Sequence, residues 1–144
     1  MVEPYSSGLL KEDPYAKKVV IMARVVAVLR GKLENRKLSL IPMPSRALKR
    51  YEIHELIVTD EQEAAPGKEV NKIAYLAFVE ILNPGVAVVG DKVILQDGKT
   101  VGRIAGFDET HMPNHENIVI KVEKRMSGEE MGINVDDLII FLKE

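Results

Sequence analysis

The chain contains no cysteine and no tryptophan. Without cysteine there can be no thiol nucleophile, no thiolate-ligated zinc and no disulfide framework. Aromatic residues make up 5% of the chain, and none interrupts the basic run from Lys17 to Arg50. That run therefore offers no platform on which bases could stack, and a nucleic-acid partner is not expected. Apolar runs such as Val19–Ala23 and Leu138–Leu142 are five residues long, against the roughly 20 that a bilayer-spanning helix needs. No membrane partner is expected. The start, Met1-Val2-Glu3-Pro4-Tyr5, lacks the basic region and apolar run of a secretion signal, so the expected location is cytoplasmic. There is no Gly-x-Ser-x-Gly elbow, no phosphate-cradling Gly-x-x-x-x-Gly-Lys-Ser/Thr and no Gly-x-Gly-x-x-Gly. No catalytic residue is assigned on these grounds, and no cofactor is expected.

What is present is an ordinary globular composition. The 144 residues are 46% hydrophobic, enough for one domain that buries about 68–70% of its unfolded surface. The net charge of −2 conceals a strong asymmetry. Residues 1–50 carry 11 Lys/Arg and 4 Asp/Glu, a net +7, whereas residues 51–144 carry 9 and 18, a net −9. The expectation is that basic and acidic strands pair across one sheet or between copies of the chain. A homo-oligomer joined through those surfaces, an unknown protein or a small anionic ligand are the partners this distribution suggests.

Along the chain, residues 1–16 hold two prolines, two serines and a glycine, and read as an irregular arm before a single domain over residues 17–144. Val19–Leu29 is apolar on both faces except at Arg24, and its valines favour strand over helix. Leu38–Ile41 gives a second short strand before Pro42 and Pro44 break the pattern. Ser45 is placed to cap one helical turn through Arg50. The chain reads extended from Tyr51 to Thr59, and Asp60–Lys68 is an acidic loop. Ile73–Leu82, Asp91–Gln96 and Val101–Phe107 follow as strands, punctuated by turns at Asn83-Pro84-Gly85 and Asp97-Gly98. After a polar loop over Asp108–Asn117, Ile118–Glu123 alternates, with Ile118, Ile120 and Val122 on one face. Leu138–Leu142 closes the domain. The predicted fold is mainly β, a small closed antiparallel β-barrel of about eight short strands with little helix, since closure removes exposed edges.

From Leu56 to Leu142 this order of elements resembles the glucitol/sorbitol-specific IIA component of the bacterial phosphotransferase system. The parallel runs through Leu56–Thr59, the Ala64-Ala65-Pro66 loop, Ile73–Leu82, the Pro84-Gly85 turn, the hairpin to Gly106, Ile118–Val122 and Val135-Asp136-Asp137-Leu138. The resemblance implies a small closed β-barrel. It also implies a phosphorylated histidine in the strand matching Tyr75–Leu82, within a His-x-His-Gly-x-Leu-like segment. Here the matching positions are Ala77 and Val79, and no histidine occurs between His54 and His111. Phosphoryl transfer through nitrogen needs an imidazole, so the shape is expected to carry over without the phosphocarrier activity.

The three histidines are the remaining places for chemistry. His111 and His115 form His-Met-Pro-Asn-His, flanked by Asp108, Glu109 and Glu116. This spacing places two imidazoles on one face of a helix. Pro113 argues against a regular helix, but a loop can also gather the pair with a carboxylate into a metal site. His111 and His115 are accordingly the candidate metal ligands, and a solvated loop is the alternative. His54 has Glu52 two residues before it on the same strand face, and the pair reads as a surface His–Glu contact.

Overall fold

A computed structural model describes residues 20–143, so the arm expected over residues 1–16 lies outside the described residues. Twelve strands run in chain order: β1 (Ile21–Val28), β2 (Lys32–Leu33), β3 (Leu38–Ser39), β4 (Ser45–Leu48), β5 (Ile53–Thr59) and β6 (Glu69–Val70). They continue as β7 (Ile73–Asn83), β8 (Gly85–Val88), β9 (Lys92–Leu95), β10 (Thr100–Asp108), β11 (Asn117–Lys121) and β12 (Leu138–Leu142). No helix forms among the described residues, and thus none is long and apolar enough to cross a membrane.

The main sheet runs β1-β12-β9-β10-β11-β5-β7, and β1 also pairs with β7, so that seven strands form a ring. β2 is added to the far end of β7, and the pairs β3–β6 and β4–β8 lie outside the ring. The expectation of a wholly antiparallel sheet is corrected at one place, because β5 and β11 are parallel, with Asn117 opposite Glu55 and Lys121 opposite Thr59. Hairpins fix the antiparallel sense of sequential neighbours such as β10 and β11. β5 and β11 are not sequential, and no turn sets their relative direction.

Alternation along the strands explains why two cores form. Leu56 and Val58 of β5, with Ile118 and Ile120 of β11, join a large core that draws residues from all seven ring strands, Phe107 and Phe141 among them. The intervening Ile57 and Val119 face the other way, into a second core with Leu38, Leu40, Val70 and Ile73. β5 and β11 are thus covered on both sides, which is why they carry unbroken apolar runs rather than a polar face. Ala77 and Val79 are fully buried in the large core.

The helical turn expected from Ser45 to Arg50 does not form. Ser45–Leu48 pairs instead with β8, Ser45 opposite Val88 and Leu48 opposite Gly85, and Leu48 is buried in the large core. A cap satisfies one or two backbone donors, whereas the β8 ladder satisfies the whole segment and buries a leucine as well. The charge asymmetry is used partly within the chain. Arg24 of β1 lies directly opposite Glu80 of β7, with their charged groups 2.9 Å apart, and it also reaches Asp136 at 2.7 Å. Lys32 meets Glu130 at 3.3 Å, and Arg46 meets Glu116 at 3.3 Å.

One glycine in the segment after β11 is fixed by backbone proximity. Gly128 donates its N–H to the Tyr75 carbonyl at 3.1 Å, and any Cβ there would collide with the Leu76 carbonyl oxygen. Because the obstacle is backbone, Gly128→Ala is expected to cost about 1–3 kcal/mol. An unchanged urea midpoint would show that β7 yields at this point.

Candidate functional site

The parallel pairing of β5 and β11 determines which residues meet at their shared starting end. The Glu55 N–H donates to the Glu116 carbonyl at 3.0 Å, which brings the carboxylate-bearing strand against the end of the loop that carries both histidines. That loop, residues 109–116, joins β10 to β11 and is closed at its base by the Asp108–Asn117 strand pair. Within it the backbone makes a tight turn, with Met112 N–H bonded to Glu109 O at 3.1 Å, and Asn114 N–H to His111 O at 2.9 Å. The turn places the two imidazoles 5.0 Å apart, centroid to centroid. One ligand atom from each of Glu55, His111 and His115 falls within 4.8 Å of the others.

The expected pair of histidines is therefore assembled, but the flanking acids are not the carboxylates that join it. Asp108 is committed to structure: it accepts hydrogen bonds from Ser39 N–H at 3.0 Å, Thr110 N–H at 3.0 Å and the Asn117 side-chain amide at 3.1 Å. Burial opposes its ionisation, but these donors outweigh burial and hold the carboxyl below its ordinary range. Glu116 is fully buried and ion-paired with Arg46. Burial first, and then the neighbouring Glu109 carboxyl, push its pKa up to about 7. Its Oε1 makes no hydrogen bond.

The carboxylate that joins the histidines is Glu55, which the sequence reading passed over. The signal was there, an acid embedded among Ile53, Leu56, Ile57 and Val58 in a strand buried on both faces. Such a residue is rarely left inside without a partner. Its Oε1 lies 3.5 Å from His115 Nε2, with both side chains about nine-tenths buried. Phe78, directly opposite Glu55 on β7, presses against the His115 ring in an edge-on contact at 5.2 Å and 82°.

The orientation of the His115 ring follows from its partners. Its Nδ1 lies 2.7 Å from Asn114 Oδ1, an acceptor only, so Nδ1 carries the proton. Nε2 is buried and makes no hydrogen bond. Nε2 thus faces a carboxylate oxygen 3.5 Å away, a gap in which a proton or a metal cation is attracted by both groups. The separation also suits an ion: ligands about 2.0–2.1 Å from a tetrahedral metal stand about 3.4 Å apart. Metal-bound imidazoles commonly donate their other ring N–H to a carboxylate, a backbone carbonyl or water; here the Asn114 side-chain carbonyl takes that place.

His54 is paired with Glu52 as expected, Nε2 to Oε1 at 3.1 Å, but of the two only Glu52 reaches the surface. His54 is only 3% exposed, because the Glu116 N–H donates to its Nδ1 at 3.0 Å and fixes it beneath the histidine loop. Burial pushes the imidazole pKa down, and Glu52 offsets this only in part. His54 is thus a neutral strut whose proton sits on Nε2. The Glu52 carboxyl, raised by burial, is brought below its ordinary value by the Lys49 N–H and His54.

Fold and site together define a mainly β protein with two loop imidazoles and one strand carboxylate gathered at the edge of its core. The chain belongs to a family of unknown function (DUF6917), which matches residues 15–142. No curated protein and no solved structure matches it.

Proposed function

We propose that this protein is a small closed β-barrel that binds one divalent transition-metal ion through Glu55, His111 and His115. The observation that carries this reading is the buried His115 Nε2, which has no hydrogen-bond partner and faces the Glu55 carboxylate at 3.5 Å. Two imidazoles and a carboxylate suit zinc or iron(II) better than magnesium or calcium, which prefer all-oxygen ligands. Three protein ligands also leave a coordination position open, as metal sites that take an exogenous ligand require. The ring of seven paired strands supports closure of the barrel. The likeness to the sorbitol IIA proteins is proposed for shape alone, because Ala77 and Val79 lie in the core and supply no imidazole for phosphoryl transfer.

The test is native mass spectrometry of untagged protein prepared without chelators and given one equivalent of zinc. One bound ion is expected in the wild type, lost in His111→Ala and His115→Ala. A wild type that stays at its metal-free mass, or an adduct that persists in both variants, contradicts the reading.

A further inference from the structure

Consecutive residues where the histidine loop enters β11 each bury a polar atom that makes no hydrogen bond: His115 Nε2, Glu116 Oε1 and Asn117 Oδ1. Buried polar atoms are normally paired, so each of these asks for a partner. The metal reading supplies one for His115, and Glu116 has Arg46 on its other oxygen. Asn117 is left over. It is fully buried, and it stands directly opposite Glu55 in the parallel β5–β11 pairing. Directly opposite side chains share one face of a sheet, so Asn117 and His115 both adjoin the Glu55 carboxylate.

The direction of the Asn117 amide is fixed by its other end. An ionised carboxylate only accepts, so it is the amide nitrogen that meets Asp108 Oδ1, at 3.1 Å. Asp108 is the partner of Asn117 on β10, and β11 lies between β10 and β5. With its nitrogen committed to the β10 side, the planar amide turns its oxygen to the other side, towards β5 and Glu55. Phe78 flanks Glu55 from β7 and presses on the His115 ring. The space beside the Glu55–His115 gap thus has an unpaired acceptor on one side and an aromatic ring on the other.

We propose that Asn117 selects what occupies the open coordination position, by accepting a hydrogen bond at Oδ1 from the ligand bound there. The inference rests on the metal reading and adds the class of ligand. The site takes small molecules that carry an O–H or N–H on the atom that binds the metal, such as water or a simple amine, and disfavours ligands that can only accept. The Asp108 bond sharpens this choice, because a carboxylate that takes the amide hydrogen polarises the amide and strengthens its oxygen as an acceptor. A site built around a buried hydrogen bond rejects the analogue that cannot make it.

The experiment loads the full chain with saturating cobalt(II), whose visible spectrum reports each change of ligand, and titrates it with hydrazine and with azide in alkaline buffer. Hydrazine carries N–H groups on its binding atom, and azide has none. Asn117→Leu, close to asparagine in size but without a polar atom, is expected to bind hydrazine about tenfold more weakly and azide about tenfold more tightly than the wild type. A site that was merely loosened would weaken both. Asn117→Val should behave as Asn117→Leu does. Should neither variant fold, a structure of the zinc-bound wild type decides, with the zinc's non-protein ligand expected about 2.7–3.2 Å from Asn117 Oδ1. The proposal is overturned if the two affinities move in the same direction, if neither moves, or if that ligand is not hydrogen-bonded to Asn117. A wild type that takes up no cobalt overturns the metal reading and this inference with it, whereas normal cobalt uptake with unaltered ligand preference overturns this inference alone.

Discussion

Zinc supplied at a hundredfold excess over its dissociation constant is expected to stabilise the protein against urea by about 2.7 kcal/mol, the increment that mass action gives for one site present only in the folded state. His115→Ala should lose this response altogether, because it removes the ligand that faces Glu55. Glu55→Gln should lose it too, yet behave in the opposite way without metal. A glutamine amide can donate to the lone pair on His115 Nε2, so the metal-free variant should be at least as stable as the metal-free wild type. A protonated His115 in a simple ion pair with Glu55 predicts the reverse, since removing one charge of a buried pair is strongly destabilising. Urea titrations of the three proteins, each with zinc and with chelator, separate the two cases. A Glu55→Gln variant that loses stability in chelator while the wild type ignores zinc would refute the metal site.

The second large effect is expected at Asp108, which ties the base of the histidine loop to β3 and β11. Asp108→Ala leaves the Ser39 and Thr110 N–H groups and the Asn117 amide without their acceptor. Each of these bonds is made to a charge in a buried place, so a loss of about 3 kcal/mol or more is expected. Zinc affinity should fall about 10–100-fold as well, although Asp108 is not a ligand, because the loop that positions His111 and His115 is no longer clasped. The pH dependence has a definite sign. The folded-state pKa of Asp108 lies below its unfolded value, so its contribution is complete above the unfolded pKa and is lost as pH falls through the folded one. Stability of the wild type should therefore decline in acid more steeply than that of Asp108→Asn. Parallel acid limbs in the two proteins would count against this role.

Most strands were legible because their apolar residues are β-branched and their ends are marked by glycine and proline. β12 falls at Leu138–Leu142 as read, and β7 differs from its reading by one residue. The segment Ser45–Leu48 was misread because a serine before a polar stretch looks like a helix cap, and only its distant partner β8 makes it a strand. Half of the site was legible for the same reason that half of it was not. His111 and His115 are four residues apart and announce themselves, whereas Glu55 reaches them only through the parallel β5–β11 pairing, which leaves no trace in local sequence. Asp108 and Glu116 stand nearer to the histidines in sequence but are occupied by backbone donors and by Arg46. The buried state of His54 was likewise hidden, because it depends on the Glu116 backbone.

The most direct measurement is a crystal structure of the zinc-soaked protein with data collected on both sides of the zinc absorption edge. One anomalous peak is expected about 2.0–2.2 Å from a Glu55 oxygen and from one nitrogen each of His111 and His115. Zinc bound elsewhere, or a Glu55–His115 contact with no peak beside it, would contradict the account.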